Sequence, residues 1–305
     1  MSLIQHLQEI EGQYRLIRDR LRSVHAGNSN GFYLFGPPGI SKTYTVVNFL
    51  KAESIPYEHV QGHLTGSGLF DVLEENPDGV IVLDDVSNLF RKDDKGVQLL
   101  LAALGSPPDG SRVRRVTYRT ARGERVVRFT GAVVAISNLG LDQHRDGVIQ
   151  ALRDRVTVMN FDPTPRQVEA LIHKIATEAP AGVSAEDAVM VAEFLADECR
   201  KQGTRLTIRL FVDKALPDFR IWKAEGTENH WKDLVRANVA GGFVPQGHAV
   251  REVPLRNRSD SDRRMVAAIC KEFATPMERL RAWKERNEAG GRGALTGPMD
   301  SGTPG

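Results

Sequence analysis

Apolar residues recur at three- and four-residue spacings at the start of the chain: Leu3, Ile4, Leu7, Ile10, Tyr14, Ile17 and Leu21. That period predicts an amphipathic helix over 3–23, and the run HAGNSNG breaks it. Short apolar runs then alternate with helical stretches. GFYLFG reads as a buried strand and KTYTVVNFLKAES as a helix; PYEHVQG as a strand and SGLFDVLEEN as a helix; GVIVLDDV as a strand and KGVQLLLAALG as a helix. TGAVVAISN is a fourth strand, DGVIQALRDR a short helix and VTVMNF a fifth strand. Continuous apolar strands separated by helices predict a parallel sheet covered on both faces.

After DPTPRQ the strand pattern stops. Residues 164–176, 184–201 and 206–223 read as helices, with Pro165 suited to a first turn. The expected organisation is a helix in 1–28, an αβα domain in 29–162 and a helical lid in 163–240. A linker with short helices in 241–288 and a disordered tail in 289–305 would follow.

Composition narrows the class. Of 305 residues, 41% are hydrophobic and 26% charged, which is ordinary globular usage. A net charge of +2 points to no partner by itself. Cys199 and Cys270 lie far apart with no neighbouring ligands, so neither a disulfide framework nor a zinc site is expected. No apolar run nears the roughly 18 residues of a membrane helix, and the charged N-terminus does not read as a signal peptide. The expectation is a cytoplasmic protein with no membrane partner.

Candidate chemistry begins at GPPGISKT, residues 36–43. The pattern G-x-x-x-x-G-K-[ST] between a strand and a helix wraps phosphates with backbone N–H groups. Lys42 would reach the outer phosphates and Thr43 would hold Mg²⁺. Gly36, Pro37, Pro38, Gly39, Ile40, Ser41, Lys42, Thr43 and Tyr44 form the expected nucleotide-binding set. Ser41 stands where the pattern has glycine. At a helix start a right-handed backbone is expected, so its side chain need not clash. Asp84 and Asp85 end the strand VIVLDD, at the edge where open α/β sheets bind ligands. Asp84 would hold Mg²⁺, and Asp85 would orient or deprotonate the attacking water. Asn138 ends the next apolar strand and would position that water.

With these residues assembled, the chain resembles the AAA+ ATPases over about residues 1–225. GPPGISKT resembles their Walker A motif, VIVLDD their Walker B motif, and Asn138 stands at sensor 1. ALRDRVTVMNFDPTP is similar to the arginine-finger segment of clamp-loader subunits, with Arg155 in the finger's place. TRLTIRLFVDKAL is similar to the sensor 2 helix, with Arg209 the candidate and Arg205 the alternative. The resemblance implies ATP with Mg²⁺ and ATP hydrolysis. It also implies a five-stranded parallel αβα P-loop sheet of order 5-1-4-3-2, a helical lid and a homo-oligomer, ring or helical, of about six subunits. Asp85 departs from the family's glutamate and is one methylene shorter. A misplacement near 1 Å costs about 10²-fold, so slow hydrolysis in a nucleotide-gated switch is one expectation.

The client is open between two classes. Residues 111–130 carry seven arginines against one acid, Glu124, and alternate as a β-hairpin around ARGE. Such a hairpin can track a nucleic-acid backbone, or its arginines can pair with acids on a neighbouring subunit. A protein client would instead be gripped by an aromatic loop. Leu69 and Phe70 stand in the right region, but the favoured reading is that they begin the helix and pack inward. His63 reads as structural or as a surface residue.

Overall fold

The computed structural model describes residues 2–86, 89, 94–121, 123–141, 147–180 and 182–241. The described residues fall within one compact unit. The linker, short helices and tail expected after residue 241 lie outside the described residues, as does Cys270.

The chain opens with helix α1 (Leu3–His25), whose start is fixed by a reciprocal cap between Ser2 and Gln5. Strand β1 (Gly31–Phe35) leads through the glycine-rich loop into α2 (Lys42–Ala52). β2 (Tyr57–Gln61), α3 (Gly66–Glu75), β3 (Val80–Asp84) and α4 (Asp94–Ala103) follow. An antiparallel hairpin, β4 (Arg114–Thr120) and β5 (Gly123–Phe129), precedes β6 (Ala132–Ser137), α5 (Gly147–Arg153) and β7 (Thr157–Asn160). Strands β1, β2, β3, β6 and β7 make one parallel sheet ordered β2-β3-β6-β1-β7. Counting its strands along the chain, that order is the expected 5-1-4-3-2.

Period-2 alternation sorts the apolar side chains to two faces. Phe32, Leu34, Val80, Val82, Val134 and Ile136 pack with α1 and α2. Tyr33, Ile81, Leu83, Val133 and Ala135 pack with α3, α4 and α5. Each such burial is worth about 1.5–3 kcal/mol, so a charge at Val82, fully buried in the second strand of the order, would break one layer outright.

The helical region that follows has its own core. α6 (Pro165–Thr177) starts at a Thr164–Gln167 reciprocal cap with proline at its first turn. α7 (Ala185–Gln202) ends at Gly203 in the left-handed region. α8 runs as three consecutive stretches: Ile208–Leu210, a π-helical Phe211–Ala215, and Leu216–Lys223. α9 (Trp231–Ala240) closes the bundle and buries Trp231, Val235 and Val239 against Phe194 and Phe219. α1 touches this region too: Glu9 accepts from Gln167 at 2.9 Å and Glu11 from Lys174 at 2.7 Å. No described helix is long and apolar enough to cross a membrane.

Leu69 and Phe70 are fully buried: they pack inward on the apolar stripe of α3, in line with the favoured reading, and form no gripping loop. The hairpin is anchored as well. Its inner face, Val116, Val127 and Phe129, is buried in the core beside α3 and α4.

Candidate functional site

The loop between β1 and α2 closes a tight turn that side chains would obstruct. A Cβ on Gly36 would strike the Phe161 carbonyl oxygen, and one on Gly39, at φ +77°, would meet Thr207. Two elements brace the turn. The Tyr14 hydroxyl on α1 donates to the Ile40 carbonyl at 3.3 Å, and burial pushes that phenol up to about 12. From the helical region, the N–H groups of Ile208 and Arg209 both reach the Gly39 carbonyl, at 3.0 and 3.3 Å.

Lys42 opens α2 and is nearly buried. Its Nζ donates to the carbonyls of Gly36 (2.8 Å) and Pro37 (2.9 Å) and to Asn138 Oδ1 (3.0 Å). Burial lowers its pKa to about 8; Asp85 and Asp84 oppose that shift, and Arg209 and Arg205 add to it. Thr43 Oγ1 donates to both oxygens of Asp84, at 3.1 and 3.0 Å. Asn138 turns its amide nitrogen to the Asp85 carboxylate, at 3.1 and 3.3 Å. Burial, then the charge of Asp84, raises the Asp85 pKa above its ordinary value, against the pull of Lys42 and the Asn138 hydrogen bond. This is an α/β P-loop fold with a helical region behind it.

The residues line a cavity of about 1130 Å³. Pro38 to Thr43 and Tyr44, Asp84, Asp85, Asn138 and Arg209 all face it. So do Tyr14, Arg15 and Arg18 of α1 and Leu171 and Ile175 of α6, which the sequence reading did not assign to the site. Of these, Tyr14 alone stood on the apolar stripe that the sequence gives α1. Arg209 sits at the π-helical irregularity of α8, a feature frequent at functional sites, and lies 3.9 Å from Asp213. The alternative, Arg205, is bonded to Asp162 at 2.6 Å and to the Pro163 carbonyl. Arg155 does not line this cavity. It is exposed after α5, with Nη1 donating to the Ala151 carbonyl at 2.8 Å.

Ser41 overturns an expectation. Its backbone is left-handed, φ 65° and ψ 24°, and its side chain caps nothing in α2. The position therefore does favour glycine: a side chain there costs roughly 1–2 kcal/mol. Asp85 is also left-handed, φ 51°, and its N–H donates to the Ile136 carbonyl at 3.0 Å. Aspartate is among the residues that tolerate this region.

The hairpin arginines separate by strand phase. Arg114 faces inward and is buried, bonded to Asn30 Oδ1 at 2.7 Å and to the Gly131 carbonyl, over the Phe129 ring. Burial lowers its pKa to about 10. Arg125 pairs with Asp71 and Glu74 over the Phe70 ring. Arg115, Arg119 and Arg128 face outward, and Glu124 pairs with Arg119 at 2.6 Å and more distantly with Arg115. Arg122 lies outside the described residues.

No protein-family model matches the chain, and no curated protein does. Among solved structures, a RuvB mutant of Thermotoga maritima is similar at 15% identity and TM-score 0.48, covering 86% of this chain and 76% of that one. A second RuvB mutant of Thermotoga maritima is similar at 16% identity and TM-score 0.46, covering 86% and 75%. Likeness of that degree says nothing about chemistry.

Proposed function

We propose that the chain is an Mg²⁺-dependent ATPase of the AAA+ kind that couples ATP binding and hydrolysis to remodelling or loading of a nucleic-acid complex. The observation that carries this is the chain of bonds Lys42–Asn138–Asp85 beside the pair Thr43–Asp84, at the floor of one cavity. A phosphate-loop lysine, a hydroxyl, two carboxylates and a polar strand end meet there from three separate elements, α2, β3 and β6.

The residues fit the group. Thr43 Oγ1 and the Asp84 carboxylate are hard oxygen donors 3.0 Å apart, the type that Mg²⁺ takes. Gly36 and Gly39 leave backbone where a side chain would intrude. Bound Mg²⁺ would neutralise charge on the phosphate oxygens. Lys42 would exchange a carbonyl partner for an outer phosphate. Asp85, its carboxyl raised above its ordinary pKa by burial and held by Asn138, would take the proton of a water molecule. Arg209 would approach the phosphates from α8. Arg155 would serve the site of a neighbouring copy in a homo-oligomer, ring or helical, where a guanidinium is worth 10³–10⁵ in related hydrolases.

The client assignment rests on the outer face of the hairpin, where three arginines stand against one glutamate. A backbone of phosphates suits such a face without sequence preference. Steady ATP hydrolysis measured without DNA and with single- or double-stranded DNA is the test. Stimulation by DNA supports this reading. ATP turnover indifferent to DNA would move the client to a protein, and no Mg²⁺-dependent ATP binding would sink the site itself.

A further inference from the structure

Asp84 is held from a side that the phosphate-loop chemistry does not require. Its side chain is almost completely buried, and Thr43 contacts both oxygens. Strand β2 supplies two further groups to Oδ2. His59 Nε2 lies 3.3 Å away and Gln61 Nε2 donates at 3.5 Å. The two residues share one face of β2 at period 2, and Gln61 is the register partner of Asp84 across the β2–β3 ladder. β2 is the sheet edge, so the imidazole stays part-exposed while the carboxylate it meets is sealed.

We infer that His59 is a positioning residue for the Mg²⁺ carboxylate, acting through an N–H donated to Asp84 Oδ2, with Gln61 in support. This rests on the proposed role of Asp84. A carboxylate on a strand end can rotate about its terminal torsion, which is broad. A donor fixed on one oxygen removes that freedom and leaves Oδ1 accepting from Thr43 alone among the described residues. Partners of this type behind a ligating group set metal affinity by 10–100-fold.

Nucleotide binding by the full chain, titrated with Mg²⁺ and repeated in chelator, tests the inference without recourse to turnover. His59→Phe keeps a ring of similar size and removes the N–H. Its Mg²⁺ midpoint should rise about 10-fold or more, with binding in chelator unchanged. His59→Gln, which restores an N–H donor, should recover most of the shift. A Mg²⁺ midpoint that stays at the parent value in His59→Phe overturns the inference. So does an equal loss with and without Mg²⁺, which marks a merely structural histidine. A parent that binds no nucleotide under either condition fails differently, since it removes the ATP site and not His59 alone.

Discussion

Lys42 and Asp85 are joined through one side chain: Asn138 accepts from the Lys42 ammonium at 3.0 Å and donates to the Asp85 carboxylate at 3.1 Å. The amide is oriented from both ends, so the phosphate-loop cation and the candidate base hold a fixed relation. Asp85→Asn places an amide against an amide and removes the base. ATP binding should persist within a few-fold while hydrolysis falls about 10²–10⁴-fold, read by equilibrium titration and single-turnover assay. Hydrolysis at the parent rate would assign the water to another group.

Ser41 sits in a left-handed backbone that glycine adopts freely. Ser41→Gly should gain up to about 1 kcal/mol, a rise in Tm of about 2–4 °C for a unit of this size. Ser41→Ala should bring no such gain, because it keeps the strain. Thermal unfolding of the two variants beside the parent checks the difference; a fall in Ser41→Gly would refute the strain.

Lys42 is held at a pKa of about 8 by burial. Phosphate set against the ammonium favours its charged form, so the pKa in the complex is higher than in the free protein. Below about pH 8 both states are protonated and affinity is flat. Above it, binding takes up a proton, so log affinity should fall with a slope approaching −1 until the higher pKa is passed. Titration with a non-hydrolysable nucleotide across this range reads the slope, and Lys42→Ala should abolish it along with tight binding.

The hairpin arginines should divide by face. Arg114→Ala strands the Asn30 and Gly131 acceptors in a buried setting and should cost about 1–3 kcal/mol. Arg115, Arg119 and Arg128 changed together to alanine should alter stability little. The same triple variant should flatten the salt dependence of DNA binding by up to about three units and weaken all sequences alike. If the triple variant instead loses its oligomeric state in sedimentation and the parent ignores DNA at low salt, those arginines meet a neighbouring copy.

Arg155 is exposed and remote from its own cavity. Mixing Arg155→Ala protein with Lys42→Ala protein should restore part of the ATPase activity, since some contacts then join an intact loop to an intact arginine. No recovery at any ratio would make the residue structural.

The sheet was legible because each buried strand is a short β-branched or aromatic run, and its order followed from a resemblance that the loop and aspartates carry. What stayed hidden was conformation and register. A motif spells Ser41 without its φ, so the cost of that side chain appears only in the backbone. The contact of His59 with Asp84 depends on the pairing of two parallel strands 25 residues apart, which neither strand encodes alone. Arg114 is a different kind of miss. It lies in phase with Val116 and opposite Phe129, so alternation already assigned it inward, but charge drew attention to the solvent.

The two hydrogen bonds from Ile208 and Arg209 to the Gly39 carbonyl restrict the mechanics of the helical region. It is tied to the sheet covalently after β7 and non-covalently at Gly39, and Gln167 and Lys174 tie it also to Glu9 and Glu11 of α1. Three separate anchorages leave a rigid body no free hinge, so the helical region cannot turn on the sheet without first breaking its bonds to α1 or to the phosphate loop.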